Sequence, residues 1–182
     1  MANTTDNLKS AFAGESQANR KYLAFAKKAD EDGFPGVAAL FRAAAAAETV
    51  HAHAHLRVLG EVKTTADNLK AAEGGEYYEF TQMYPGFIET AEKEGNKQAT
   101  QSFDRANQVE QIHHKLYAEA SASLSKGKDI KAGTWYVCQV CGNTVFGEAP
   151  DECPVCGVPK NLRTIASRHM MIIKPRLASL SG

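Results

Sequence analysis

A four-residue pattern, Glu-x-x-His, occurs twice in the chain, at Glu48–His51 and, 62 residues later, at Glu110–His113. In an α-helix, residues three positions apart lie on one face, so each copy presents a carboxylate and an imidazole together. Carboxylate and imidazole ligands suit transition metals such as iron or manganese. One copy would be weak evidence, because so short a pattern arises by chance. Two copies, each preceded by an upstream glutamate, predict a metal site built from helices.

The upstream glutamates, Glu15 and Glu76, complete a set that matches a known arrangement. One glutamate from each of two helices plus a Glu-x-x-His from each of two others is the ligand set of dimetal four-helix bundles. Four carboxylates in a helical core would be prohibitively costly alone, whereas two divalent ions balance their charge. Glu79, one turn after Glu76, adds a further carboxylate, although an exposed helix glutamate is the alternative. The candidate ligands and catalytic residues are therefore Glu15, Glu48, His51, Glu76, Glu79, Glu110 and His113.

Two tyrosines, Tyr22 and Tyr84, each lie two helical turns beyond a candidate ligand glutamate. Their hydroxyl groups would donate hydrogen bonds to the carboxylates and hold them in place. The alternative is that both rings belong to an amphipathic apolar face. We include both tyrosines among the candidate catalytic residues.

Helical periodicity and breakers divide the first two thirds of the chain into four helices, at about residues 4–32, 36–59, 64–94 and 96–125. Thr4 or Thr5 is the expected N-cap of the first helix. The alanine run 43–47 either reflects helix propensity alone or lets a neighbouring helix approach closely. The third helix contains Gly74-Gly75 and Pro85, which predict a kink or local irregularity.

The two halves of the helical region repeat each other, with unequal spacing. Glu48 aligns with Glu110 at an offset of 62 residues, but Glu15 aligns with Glu76 at an offset of 61. The second half therefore contains one extra residue. A single residue inserted into a helix is typical of a π-bulge, which often occurs at a functional site. We expect it in the third or fourth helix.

All four cysteines fall near the C-terminus as two Cys-x-x-Cys pairs. Such pairs supply the four thiolates of a tetrahedral metal site, and in a reducing compartment they favour a metal over disulfides. The aromatic and β-branched residues around them predict strands. The candidate ligands are Cys138, Cys141, Cys153 and Cys156, and the metal is either a redox iron or a structural zinc.

Composition excludes several other classes of function. The 21 basic and 21 acidic residues give zero net charge, and no basic block is present, which argues against nucleic acid as a partner. The N-terminus lacks the pattern of a signal peptide, and no apolar run reaches the roughly 18 residues of a membrane span. We expect a soluble, cytoplasmic protein with no membrane partner.

Several segments resemble the rubrerythrin family: Ala11–Ala18, Gly75–Glu79, Met83-Tyr84-Pro85 and both Glu-x-x-His copies. Cys153-Pro154-x-Cys156-Gly157 resembles rubredoxin. The resemblance implies a mainly α protein, in which a ferritin-like diiron four-helix bundle is followed by a small β-rich rubredoxin-like domain.

That resemblance also implies an activity. It implies a non-haem diiron peroxidase that reduces hydrogen peroxide to water in oxidative-stress defence, with electrons relayed through an Fe(Cys)4 centre. The implied donor is an electron-donating reductase or a rubredoxin. By the resemblance, His51 exchanges with Glu79 as one iron shifts with redox state, and the other candidate glutamates and His113 ligate iron. Two alternatives remain: a ferritin-like ferroxidase or iron-handling protein, and a non-enzymatic electron carrier.

The expected domains are a bundle over residues 1–126, a linker over 127–133, the rubredoxin-like domain over 134–166 and a tail over 167–182. Matched ligands require the second and third helices to run parallel, so a connection within one chain must return along the bundle. That distance is about 35 Å for a helix of roughly 24 residues, whereas Glu61–Thr65 spans at most about 17 Å. We therefore expect a homodimer, or a higher oligomer, with exchanged helix pairs.

Overall fold

The computed structural model describes residues 3–167, so the predicted tail falls outside the described residues except for Ser167. The chain divides into two compact units, Met1–Thr64 and Thr65–Gly182. The division separates the second helix from the third, which is where the internal repeat begins again. Each unit therefore contains one helical half of the repeat, and the second unit also contains the cysteine module. The predicted domain boundaries remain a prediction.

The first unit is a hairpin of two helices, α1 (Thr4–Glu31) and α2 (Pro35–Val58). Asn3 caps α1, because its side chain accepts from the Asp6 N–H at 2.9 Å while the Asp6 carboxylate accepts from the Asn3 N–H at 3.4 Å. The expectation that Thr4 or Thr5 is the cap is wrong, since both are already helical. A reciprocal pair of this kind satisfies two N–H groups that the helix itself leaves unpaired.

Small side chains line the contact between α1 and α2. The buried apolar residues of this unit are all alanines: Ala26, Ala29, Ala38, Ala45 and Ala52. Asn19 is buried among them, and its Nδ2 donates to the Ala45 carbonyl at 2.6 Å and to Thr49 Oγ1 at 2.8 Å. Within the run 43–47, Ala45 is buried against α1, whereas Ala43, Ala46 and Ala47 are exposed, so close approach explains Ala45 and helix propensity explains the exposed alanines.

The helical part of the second unit consists of α3 (Thr65–Tyr78), a π-helical segment (Glu79–Met83), α4 (Tyr84–Lys93) and α5 (Lys97–Leu124). The Tyr84 N–H donates to the carbonyl of Glu79, five residues back, which is the π-helical spacing. The predicted extra residue is confirmed at this segment. The irregularity occurs just before Pro85, whereas Gly74 and Gly75 lie in regular α-helix.

The cysteine module is a three-stranded antiparallel sheet in the order β2-β1-β3. Its strands are β1 (Trp135–Cys138), β2 (Thr144–Phe146) and β3 (Arg163–Ser167), and a 3-10 turn over Lys160–Leu162 precedes β3. The predicted strand character is confirmed. Cys138 and Asn143 are fully buried, so the small core of the module is built around the cysteine cluster.

Helices α1, α2 and α5 contain 28, 24 and 28 residues, which exceeds the roughly 20 residues that a membrane span needs. These helices are nevertheless too polar to span a membrane, since none of the described helices is apolar enough over that length.

Candidate metal centres

The first cluster of candidate ligands lies entirely in the first unit. Glu15 on α1 faces Glu48 and His51 on α2, and the ligand atoms of the three residues lie within 4.8 Å of one another. His51 Nδ1 is 2.9 Å from Glu48 Oε2 and 3.8 Å from Glu15 Oε1. The three-residue spacing within the helix places Glu48 beside His51, as the sequence predicts.

The second cluster repeats the first in the second unit. His113 Nδ1 is 2.8 Å from Glu110 Oε2 and 3.8 Å from Glu76 Oε1, and the three ligand atoms again lie within 4.8 Å. The two triads therefore match to within 0.1 Å in both distances, which is the structural counterpart of the sequence repeat. They differ in exposure, since the His51 side chain is 55% exposed and that of His113 is 26% exposed.

Carboxylates crowd the second triad. Burial and the charge of Glu110 raise the pKa of Glu76 to about 7, against the opposing effect of His113. Burial and the same Glu110 charge raise the pKa of Glu79, although Glu79 is not among the three residues whose ligand atoms lie within 4.8 Å of one another. The hydrogen bond from His113 to Glu110 raises the pKa of His113 and outweighs its burial. In the absence of a metal, protons therefore balance the negative charge here.

The two candidate tyrosines occupy equivalent aromatic clusters. Tyr22 packs with Phe25 and Phe41 at centroid distances of 6.4 and 6.2 Å. In the other half, Tyr84 packs with Phe87 and Phe103 at 6.2 and 6.3 Å.

This packing agrees with the apolar alternative for both rings. The carboxylates of the site also affect Tyr84, because burial and the charges of Glu110, Glu79 and Glu76 raise the pKa of its hydroxyl group.

The four cysteines form one cluster, with Cys138 Sγ 3.7 Å from Cys156 Sγ and Cys141 Sγ 3.5 Å from Cys153 Sγ. Burial opposes ionisation of Cys153, but the backbone N–H groups of Cys156 and Val155 lower its pKa to about 6. Burial raises the pKa of Cys141 and of Cys156. Of these three thiols, Cys153 therefore ionises most readily.

The donor atoms fit the metals that the sequence predicts. Sulfur atoms about 3.5–3.7 Å apart in a closed knuckle match a tetrahedral thiolate site for iron or zinc. Each Glu/His triad offers two carboxylates and one imidazole, a hard and intermediate donor set that suits a ferrous ion. Because their pKa values are raised, Glu76 and His113 retain protons that a bound cation would displace.

The cysteine module contacts the second triad directly. His113 Nε2 lies 2.9 Å from Thr144 Oγ1, on β2, and the Thr144 hydroxyl donates to the Gly142 carbonyl at 3.1 Å. The threonine oxygen therefore accepts from the Nε2–H of His113, which leaves Nδ1 directed at Glu110 and Glu76. Sequence reasoning missed Thr144, because 31 residues separate it from His113 and no pattern links them.

Paired carboxylate–histidine triads in a helical region, followed by a four-cysteine sheet module, define a non-haem iron protein of the diiron-carboxylate class. Residues 6–121 match the family model described as Rubrerythrin, and residues 136–162 match the one described as Rubrerythrin, rubredoxin-like domain. The chain belongs to the rubrerythrin family, a family of iron-based oxidoreductases. This confirms the predicted fold class, a mainly α ferritin-like bundle with a rubredoxin-like domain, and the predicted diiron and four-cysteine iron cofactors.

Several characterised relatives are similar over most of their length. Rubrerythrin-2 of Clostridium acetobutylicum is 38% identical over 88% of this chain and 95% of its own. Nigerythrin of Nitratidesulfovibrio vulgaris is 36% identical over 90% of this chain and 87% of its own. Solved structures of nigerythrin in mixed-valence and all-ferrous states align with a TM-score of 0.53 at 35% identity, covering 91% of this chain and 87% of that one.

Proposed function

We propose that the protein is a peroxidase that reduces hydrogen peroxide to water in oxidative-stress defence. The observation that supports it most directly is the contact of the four-cysteine module with the second Glu/His triad, at His113 and Thr144. Contact between a one-electron relay, the cysteine module, and the site that receives its electrons, the second triad, suits a redox enzyme. Neither an iron-storage protein nor a simple electron carrier needs such a contact. Reduction of one peroxide to two waters consumes two electrons and two protons.

The residues proposed to hold the two iron ions are those of the two triads together with Glu79. When bound there, two ferrous ions would supply the two electrons that cleave the O–O bond. The protein groups provide the rest: the carboxylates balance the charge of the cations, and the histidines fix their position. Tyr84, with its raised pKa, keeps its hydroxyl proton at neutral pH and is available as a donor near the carboxylates.

The four cysteines are proposed to hold the relay iron. Cys138 and Cys141 flank the knuckle that leads into Thr144, only three residues after Cys141. The route from sulfur to His113 is therefore short and lies within one chain, in the second unit. The contact between Thr144 and His113 provides a direct route from the cysteine module to this triad. The external donor is proposed to be a reductase or a rubredoxin in the cytoplasm.

We also propose that the protein is a homodimer with exchanged helix pairs. Each unit supplies three of the six core ligands, and the connection between α2 and α3 is only the six residues 59–64. Residues 65–78 are helical, so α3 does not unwind to lengthen that connection. Under this proposal, Glu15, Glu48 and His51 of one protomer would share a centre with the second triad of its partner.

The test is anaerobic peroxide consumption by the fully reduced, iron-loaded protein. We expect one peroxide consumed per two electrons, continued turnover with an external reductase, and loss of turnover in Glu110→Ala. Cys138→Ser should abolish reductase-driven turnover and spare a single reaction of the pre-reduced diiron centre. Iron uptake into a large shell without peroxide turnover would instead identify an iron-handling protein, and rapid electron exchange without either would identify a carrier.

A further inference from the structure

Arg163, at the start of β3, is a buried cation in the cysteine module. Its side chain is only 9% exposed, and its three guanidinium nitrogens are buried without a hydrogen-bond partner among residues 3–167. An arginine stays charged at any physiological pH and has five N–H donors to satisfy. Burying such a charge without an anionic partner costs several kcal/mol.

No carboxylate of the described module forms an ion pair with Arg163. The acidic residues Glu148, Asp151 and Glu152 are all exposed, and Glu148 pairs with Lys160 at 3.7 Å. The sequence after Ser167 contains no aspartate or glutamate. The four cysteines, once they hold a metal as thiolates, are the remaining source of negative charge within the module.

The strand register places Arg163 beside a ligand of the cysteine cluster. Arg163 lies opposite Cys138 in the antiparallel pairing of β3 with β1. The neighbouring Gln139 N–H donates to the Leu162 carbonyl at 2.9 Å, so Gln139 and Leu162 form a hydrogen-bonded pair. Such pairs alternate along the strands with non-hydrogen-bonded pairs, so Cys138 and Arg163 form a non-hydrogen-bonded pair. The side chains of that kind of pair lie closer together. Their side chains leave the same face of the sheet, with Cβ atoms about 4.5–5.5 Å apart.

We propose that Arg163 is the buried counter-charge of the four-cysteine metal centre and that it sets the reduction potential of that centre. Four thiolates around a ferrous ion have a net charge of −2, and around a ferric ion −1. This inference rests on metal binding by the four cysteines and not on peroxide turnover.

The direction of the effect follows from these charges. A fixed positive charge stabilises the more negative, ferrous form more than the ferric form, so Arg163 raises the potential. Reduction adds one electron from an external reductant to the ferric ion, and no bond or proton changes. Since the guanidinium is buried, salt screens this interaction far less than it screens a surface charge.

The main test measures the reduction potential of the four-cysteine iron centre in the iron-loaded, full-length protein. A mediated redox titration follows the absorption band of the ferric thiolate form. Arg163→Met keeps the length of the side chain and removes the charge, and Arg163→Lys keeps the charge. Lys160→Met is the matched control, because it removes one exposed charge from the same module. We expect Arg163→Met to shift the equilibrium at least tenfold toward ferric iron, about 59 mV lower for one electron.

Arg163→Lys should retain most of the native potential, and Lys160→Met should change the equilibrium less than threefold, an effect that vanishes at high salt. An Arg163→Met potential equal to that of Lys160→Met would overturn the proposal.

A second measurement decides the case even if Arg163→Met does not retain iron. Urea unfolding of the metal-free and zinc-loaded proteins gives the gain in stability from zinc without any redox step. The proposal expects the metal-free Arg163→Met protein to be at least as stable as the native one and to gain less from zinc. A destabilised metal-free variant with an unchanged gain from zinc would show that Arg163 has only a packing role. Neither measurement depends on peroxide turnover. Both can therefore be interpreted even if the protein proves not to be a peroxidase.

Discussion

Thr144 Oγ1 on β2 lies 2.9 Å from Nε2 of His113 on α5, and this hydrogen bond joins the cysteine module to a Glu/His triad within one chain. Because the threonine hydroxyl donates to the Gly142 carbonyl, it accepts from the imidazole. Thr144 thus fixes the Nε2 side of the His113 ring, while Nδ1 on the other side lies 2.8 Å from Glu110 Oε2. The partner of the non-ligating nitrogen commonly fixes the tautomer and orientation of a metal-binding histidine.

Replacing Thr144 by valine should weaken metal binding at the second triad by about 10–100-fold, because the imidazole loses the acceptor that orients it. Thr144→Ser keeps the hydroxyl and should behave like the native protein. Titration with Co²⁺ measures the affinity, and the thiolate charge-transfer band separates the cysteine site from the triads. Thr164→Val, the same substitution at an exposed position of β3, is the control. Equal affinities for all three variants would remove Thr144 from any positioning role.

Mixing two inactive variants tests the exchanged dimer. One chain has the first triad removed by Glu48→Ala and His51→Ala, and the other has the second triad removed by Glu110→Ala and His113→Ala. In an exchanged dimer, a mixed pair unites the intact triad of each chain in one site, so co-refolding should restore up to half of the native iron binding per mixed dimer. In a dimer without exchange, every site contains one damaged triad. Absence of any restored binding in isolated mixed dimers would refute the exchange.

Asn19 should be the polar residue of the first unit on which stability depends most. Asn19→Ala removes the bridge to the Ala45 carbonyl and to Thr49 and leaves a buried backbone acceptor with one partner fewer. We expect a loss of about 1–3 kcal/mol in the free energy of unfolding. The exposed neighbour Gln17, replaced by alanine, should change it by less than about 0.5 kcal/mol. Urea unfolding of both variants makes the comparison, and similar losses would argue against a role for the bridge.

The stability of the metal-free protein should fall as pH rises from about 5 to about 7. The pKa of Glu76 is raised from 4.5 to about 7 in the folded protein by burial and by Glu110, so the folded state retains a proton that the unfolded state has lost. Wherever the folded state binds more protons, stability decreases with rising pH. The raised pKa of His113 acts in the same direction.

Urea midpoints between pH 5 and 8 measure this slope, and Glu76→Gln should flatten it. Metal loading should reverse the trend, because cations displace these protons more easily at higher pH. A metal-free protein whose stability rises over this interval would contradict the electrostatic account of the triad.

The sequence was sufficient for most features that depend on local spacing. The helices lie within a few residues of their predicted bounds, because glycines such as Gly33 and Gly95 end them with positive φ angles of 81° and 70°. The unequal offset of the repeat predicted the π-helical segment, since one surplus residue in a helix has few other solutions. The Glu/His pair within each triad also follows from the three-residue spacing, although the ligand role of each residue stays a prediction.

Features that depend on contacts distant in sequence could not be predicted. The hydrogen bond between Thr144 and His113 joins a strand to a helix, and nothing in either segment marks it. Burial of Arg163 is equally unexpected, because arginine in an edge strand is usually exposed. The N-cap is a local feature that was misplaced by one or two residues, because Asn3, Thr4 and Thr5 are all good capping residues and only the pairing with Asp6 decides among them.

The π-helical segment makes the two halves of the repeat chemically unequal. Three residues after Glu76 the chain has Glu79, at the start of the π turn, whereas three residues after Glu15 it has Ala18 in an unbroken helix. The half that contains Glu79 therefore has an additional carboxylate, whose pKa is raised by burial and by the charge of Glu110, and the other half has alanine at the equivalent position. The two halves of the repeat therefore differ in carboxylate content close to the extra residue, and the two proposed metal positions should differ in affinity, exchange rate and spectroscopic signature.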